Sequence, residues 1–193
     1  MRVLPDSGTL LGALQARFSD PTKRSEALLS AAEELGLDAT ASLSPPSVAF
    51  ALLKSGLSAE AVSRLLSWKE FEGMSAALLR AAGWEVRENV YLTKPRAQID
   101  VVAKGDSMVL SVDCKHYRRG LGPAGLARVA LAQLQRSSAL RRRTEDPRPI
   151  ASVILTMSEP EGAFVKGVAI VPVRTLNSFV TSFEAYQGYL DLR

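Results

Sequence analysis

One stretch, residues 98–117, constrains this chain more than any other: Gln-Ile-Asp-Val-Val-Ala-Lys-Gly-Asp-Ser-Met-Val-Leu-Ser-Val-Asp-Cys-Lys-His-Tyr. Two apolar runs rich in β-formers, one opening with Ile99, Val101 and Val102 and the other covering 108–112, flank Lys104-Gly105-Asp106-Ser107. That Gly/Asp/Ser composition is the chemistry of a short hairpin loop. Both runs are apolar enough to be central strands covered on both faces. Into this setting the chain places Asp100, Asp113 and Lys115. Strand alternation projects Asp113 and Lys115 to one face and Cys114 to the other, and hairpin pairing brings Asp100 alongside. Carboxylates and an ammonium are seldom buried without a partner or a metal, because desolvation costs several kcal/mol. The convergence reads as a functional site. Its plainer alternative is a structural ion pair of Asp113 or Asp100 with Lys115.

Elimination narrows the chemistry. Cys114 is the single cysteine and His116 the single histidine among 193 residues. An intramolecular disulfide, a thiolate zinc site and a histidine metal triad are therefore all excluded. The first residues lack the apolar core of a signal peptide. No apolar run approaches the ~20 residues that span a bilayer. A cytoplasmic protein with no membrane partner is expected. The net charge of +4 is modest, but basic residues gather at Lys115, Arg118 and Arg119, and again at Arg136, Arg141, Arg142, Arg143 and Arg148. Such clusters suit a phosphate backbone, a reading preferred over a solvated helix end because the first cluster adjoins the acidic site.

The order of elements follows from periodicity and punctuation. Residues 1–66 read as a helical region with helices near 9–18, 21–35, 46–54 and 59–66, the last two a plain helical hairpin rather than a DNA-reading helix-turn-helix. Residues 67–193 form the second domain. Its opening helix, 68–82, carries Trp68, Phe71, Leu78, Leu79 and Ala82 on one apolar side and stops at Gly83. On this wheel Glu72 borders the apolar face, whereas Glu70 points further toward solvent. Residues 84–92 alternate as a half-exposed strand, and the two central strands follow. Next come a helix over 124–143 bearing Gln133, a buried strand at 150–157, a strand at 168–171 and a last helix over 176–190. The order is α-β-β-β-α-β-β-α. A long helix between the third and fourth strands makes those two parallel. The fold class is α/β, a mixed sheet flanked by helices with an N-terminal helical extension.

Asp100, followed by Asp113-Cys114-Lys115 on the next strand, resembles the signature of the PD-(D/E)xK nuclease superfamily. Trp68-Lys-Glu-Phe-Glu-Gly73, Leu78-Leu-Arg-Ala-Ala-Gly-Trp-Glu-Val86 and Arg96-Ala-Gln-Ile-Asp100 resemble Mrr-like restriction endonucleases and archaeal Holliday-junction resolvase-like proteins, over residues 68–190. The resemblance implies a restriction-endonuclease-like core. It implies that Asp100 and Asp113, with the Cys114 carbonyl and the helix carboxylate Glu72, hold Mg²⁺ or Mn²⁺. Lys115 would position the attacking water and stabilise developing phosphoryl charge. Gln133 would match a glutamine that some members carry on the next helix. Arg96, His116, Arg118, Arg119 and Gln133 are candidate nucleic-acid contacts. Many relatives have Glu or Gln where this chain has Asp113, which shortens the ligand by a methylene.

The expectation is a metal-dependent endonuclease hydrolysing DNA phosphodiester bonds in repair, recombination or defence, plausible as a homodimer because two symmetric sites cut two strands. The alternative is a non-catalytic nucleic-acid-binding or assembly protein on the same scaffold, since fold alone never establishes activity.

Overall fold

The computed structural model describes Ala49, Val62 and residues 66–116, 121–157 and 162–193. The chain divides into two compact units, Met1–Phe71 and Glu72–Arg193. The helices expected before residue 66, and Arg118 and Arg119, lie outside the described residues.

Helix α1 spans Trp68–Ala81. Its start is a capping box: the Glu70 carboxylate accepts from the Ser67 backbone N–H at 2.7 Å, and the Ser67 hydroxyl accepts from the Glu70 N–H at 3.4 Å. This occupies Glu70 at the helix end. The buried face is Phe71, Met74, Ser75, Ala76 and Leu79. Trp68, placed on that face by the sequence, is 47% exposed. The helix ends in a Schellman motif, with the Gly83 N–H bonded to the Arg80 carbonyl at 2.9 Å and the Trp84 N–H to that of Leu79 at 3.1 Å. Gly83 takes φ +88, a conformation that costs a residue with a Cβ about 1–2 kcal/mol.

Three strands follow, β1 (Glu85–Thr93), β2 (Arg96–Lys104) and β3 (Val109–Lys115), then helix α2 (Pro123–Arg141) and strand β4 (Ile150–Thr156). β1–β2 and β2–β3 are antiparallel, and the crossover through α2 makes β3–β4 parallel. The expected loop closes β2 onto β3, with Lys104 opposite Val109 and the Gly105 N–H bonded to the Met108 carbonyl. The Trp84 ring lies where a Cβ on Gly105 would stand, at 2.8 Å, so only glycine lets the turn pass beneath the indole.

Past β4 the chain departs from the expected order. A two-residue strand β5 (Phe164–Val165) precedes β6 (Val168–Pro172), joined through Lys166 and Gly167 at φ 54 and 77. Two successive positive φ values are the signature of a tight hairpin matched to strand twist. The sheet order is β1-β2-β3-β4-β6-β5. The single terminal helix expected over 176–190 is instead a short helix α3 (Leu176–Thr181) followed by a 3-10 segment (Phe183–Tyr189). The change falls at Ser182, where φ −112 and ψ 23 leave the helical region. Phe179, on α3, meets Phe183 edge to face and stacks on Tyr186.

Helix α2 lies over the sheet and seals it in two patches. Ala139 and Leu140 pack with Val102, Val109 and Ile150, while Leu126, Ala130 and Leu134 pack with Ile154, Val168 and Ile170. β3 and β4 are buried nearly throughout, and β2 is buried from Ile99 to Ala103, as the apolar runs require. Among the described residues, no helix is long and apolar enough to cross a membrane.

Replacing Gly83 with alanine is expected to lower stability by about 1–2 kcal/mol. Urea unfolding followed by circular dichroism should show an earlier midpoint at unchanged slope.

Candidate active site

The site forms where the hairpin opens. β2 and β3 are paired from Lys104↔Val109 to Val101↔Val112. One step further, continued register would place Asp100 opposite Asp113, but the ladder stops. The backbone N–H of Cys114, which points toward β2, is taken instead by the Asp100 carboxylate at 2.8 Å. On the other side of β2 the β1 ladder pairs Glu88↔Val101 and Val90↔Ile99 and skips the intervening pair, Asn89 with Asp100. Asn89 sits there at φ 52, a left-handed conformation that asparagine tolerates better than most residues. Both neighbours of Asp100 thus give way beside it. A residue's N–H and C=O project to the same strand edge, so the Cys114 carbonyl also faces the Asp100 side.

Asp113 and Lys115 share a face, as alternation requires. The Lys115 ammonium sits astride the carboxylate, 2.8 Å from Oδ1 and 2.8 Å from Oδ2, with hydrogen-bond geometry to Oδ1 only. Arg136, from α2, approaches Asp113 Oδ1 through Nη1 at 3.2 Å. The sequence placed Arg136 in a basic cluster and missed its role here; its spacing of three from Gln133, one turn along the same face, was the available signal.

Glu72 comes from α1 and is buried, with 4% of its surface exposed. Its Oε1 has no hydrogen-bond partner. Burial, then the nearby charges of Asp100, Glu88 and Asp113, raise its pKa from 4.5 to about 7, opposed by Lys115. The Asp100 carboxyl is also raised, first by burial and then by Asp113, against the lowering effects of the Cys114 N–H, Lys115 and Arg136. Burial pushes the Cys114 thiol well above its usual value, and Ser75 on α1 donates or accepts a bond that partly offsets this. The side chain of Cys114 is a protonated thiol in the core, leaving only its carbonyl for the site.

Gln133 does not reach solvent. It is fully buried, and its Nε2 donates to the Ser111 carbonyl at 2.7 Å and to the Ser111 hydroxyl at 3.0 Å. Its Oε1 accepts from Arg136 Nη1 at 3.3 Å. A direct nucleic-acid contact by Gln133 is therefore corrected to a brace between α2 and β3. Beside it, the buried Ser152 hydroxyl donates to that of Ser137 at 2.6 Å. Arg96 is exposed at the first position of β2, four residues and roughly 13 Å along the strand from Asp100. His116 is partly buried just past the end of β3.

The second basic cluster also changes meaning. Arg141 donates to the carbonyls of Arg148, Thr144 and Asp146. Arg148 forks onto Asp146 through Nε at 2.8 Å and Nη2 at 2.6 Å, and reaches the Gly105 carbonyl. Lys104 completes the group, 3.1 Å from Asp146. Arg143 donates to Thr93 Oγ1 at 2.7 Å. Arg141, Arg143 and Arg148 thus tie the α2–β4 loop to the hairpin turn and to β1, which makes structural contacts of these three members of the expected phosphate surface.

The donor set fits a hard divalent cation. All side-chain acceptors are carboxylate oxygens, and among the described residues two of them, Glu72 Oε1 and Asp113 Oδ2, are buried without a hydrogen bond. Among the described residues no group of three or more His, Cys, Asp or Glu side chains is gathered as a metal cage. Mg²⁺ does not call for one, because it is held by one or two carboxylates with waters and substrate phosphate oxygens. Asp100 and Asp113, with the Cys114 carbonyl, are the residues that could hold it.

Comparison with known proteins agrees with the geometry. Residues 63–140 match the model of a restriction endonuclease family, Mrr_cat, a family of the PD-(D/E)xK nuclease superfamily. The match runs from α1 through nearly all of α2 and contains every site residue described above. The chain is also 29% identical over 129 residues to an uncharacterized protein of Archaeoglobus fulgidus, covering 63% of this chain and 95% of that one. No solved structure matches it.

Two outcomes test the site's construction. Gln133→Leu leaves the Ser111 carbonyl without its donor and should cost about 1–3 kcal/mol of unfolding free energy, read from denaturant midpoints. Glu72 holds its proton more tightly when folded, about 7 against the usual 4.5. The folded state therefore binds the extra proton between these values, and the stability Glu72 contributes falls as pH rises from about 4.5 through about 7. The stability difference between wild type and Glu72→Gln should shrink or reverse across that window; a difference independent of pH would refute the raised pKa.

Proposed function

We propose that the domain is a metal-dependent endonuclease that hydrolyses DNA phosphodiester bonds. The nuclease assignment rests on the family match; metal dependence and the roles of single residues are our reading. The observation that carries it is the electrostatic coupling of Glu72 with Asp100, Asp113 and Lys115, beside the break in both ladders of β2. A salt bridge alone would need only Asp113 and Lys115. It would leave unexplained two further buried carboxylates whose proton affinities are both raised.

A divalent ion held by Asp100, Asp113 and the Cys114 carbonyl would supply Lewis-acid polarisation of the phosphodiester and ease deprotonation of water. The chain's own groups do the rest. Asp113 fixes the Lys115 ammonium at 2.8 Å, where its positive charge orients the attacking water and meets charge building on the phosphoryl oxygens. The water oxygen bonds to phosphorus and one bridging P–O bond breaks. One proton leaves the water and one reaches the departing alkoxide. Glu72, with a pKa of about 7, has capacity to hold or release a proton at its unpartnered Oε1 near neutral pH. Cutting both strands of a duplex would call on two copies of the chain or two encounters.

The decisive measurement is cleavage of a panel of labelled DNAs (duplex, flap, junction, single strand) with Mn²⁺ or Mg²⁺. Lys115→Ala should lose about 10²–10⁴-fold in rate while keeping the wild-type melting temperature within a few degrees. No cleavage of any substrate by wild type in either metal would favour the non-catalytic scaffold. Separately, Mg²⁺ titration at pH 7 should raise the melting temperature of wild type and leave that of Asp113→Ala unmoved.

A further inference from the structure

Resting on the nuclease reading, we infer that Arg136 is a substrate-phosphate ligand, stationed beside Asp113 by the Gln133 brace rather than kept there as a structural ion pair.

The contrast with Arg148 and Arg141 carries the inference. Arg148 binds Asp146 with its fork, two nitrogens on two oxygens, and adds the Gly105 carbonyl. Arg141 spreads its donors over three carbonyls. Each of these makes three hydrogen bonds spread over two or three nitrogens. Arg136 makes both of its hydrogen-bond and ion-pair contacts through Nη1, to Asp113 Oδ1 at 3.2 Å and to Gln133 Oε1 at 3.3 Å. A guanidinium carries five N–H donors in a rigid plane, and the other donors make neither contact. The side chain is 30% exposed, so it is open in part to solvent.

Asp113 does not need Arg136 for neutrality. The Lys115 ammonium already lies 2.8 Å from both of its oxygens. The arginine is a second positive charge beside one carboxylate, at the longer distance. Its neighbour Gln133 is built to hold it there. The Gln133 Nε2 gives both hydrogens to Ser111, one to the carbonyl and one to the hydroxyl. This fixes the amide so that only Oε1 can face Arg136, and Gln133 is wholly buried. A buried amide thereby serves as a fixed acceptor that aims an exposed cation along the site. A planar guanidinium whose paired donors are unused among the described residues matches the oxygens of a phosphodiester. The same charge would meet the extra negative charge of the transition state.

The test is binding of a fluorescein-labelled duplex in EDTA, by anisotropy across a salt series, for wild type, Arg136→Gln and Arg136→Lys. Arg136→Gln should weaken binding about tenfold, as the loss of one charge-assisted contact does. It should also reduce the slope of log K against log salt by about 0.9, the value of one phosphate contact. Arg136→Lys should keep the slope, since the charge remains. Wild-type slope and affinity in Arg136→Gln would overturn the inference, as would loss of folding in Arg136→Gln with full recovery of stability but not of slope in Arg136→Lys. The two readings fail separately. Wild type that never cuts but loses slope in Arg136→Gln sinks the nuclease and leaves this contact standing. Wild type that cuts, with KM, kcat and slope unmoved in Arg136→Gln, sinks only the contact.

Discussion

The bond from the Cys114 backbone N–H to the Asp100 carboxylate is the point on which the site turns. In a continued antiparallel ladder that N–H would meet a carbonyl of β2, and Asp100 would be one more residue sealed in a sheet. Here a side chain takes the carbonyl's place, so the strand edge is satisfied while the strands part. The Asn89 kink performs the matching release on the β1 side. The Cys114 N–H finds its acceptor in the Asp100 carboxylate, and the gap opens in a sheet whose strands β3 and β4 are otherwise buried.

The parted end is supported from beneath by a polar seam. Ser111 on β3, Ser137 and Gln133 on α2, and Ser152 on β4 are all fully buried and bonded to one another in pairs. Each such bond is worth only about 1 kcal/mol net, but breaking one inside the core costs more than making it gains. The seam therefore specifies position more than it adds stability. It fixes the rotation of α2 over β3, which sets where Arg136 stands relative to Asp113. It also blurs the amphipathic stripe of α2, because polar residues occupy buried turns between Leu126, Ala130, Leu134 and Leu140.

Charge in this domain is divided by geometry rather than by residue type. Arg141, Arg143, Arg148 and Lys104 hold a loop and a turn together, and Asp146 at their centre is kept well below the usual carboxylate range, chiefly by Arg148. Lys115 and Arg136 face a group of acids whose proton affinities run the opposite way. Burial and mutual repulsion raise Glu72 and Asp100, where direct pairing lowers Asp146. The same types of side chain thus make a brace at one end of the sheet and, at the other, a site where two buried acids hold their protons more tightly than usual.

Much of this was legible in the chain. The apolar runs on either side of Lys104–Ser107 determined the central hairpin, and the long helix after it determined the parallel crossover. The acids and lysine in those runs marked the site because their burial demands a reason. Helical spacing distinguished Glu72 from Glu70, whose capping bond with Ser67 is also a local pattern. What the sequence left open depends on contacts between distant residues. Trp68 fits the helical stripe by period and is nonetheless exposed; the last helix breaks at Ser182 although its periodicity continues; and Lys166-Gly167 turns too short a strand to register. The burial of Gln133, the engagement of the loop arginines and the station of Arg136 were decided only by packing. Local order is written in spacing, which sequence holds completely, whereas the fate of a long polar side chain depends on which acceptors the finished fold brings within 3 Å of it.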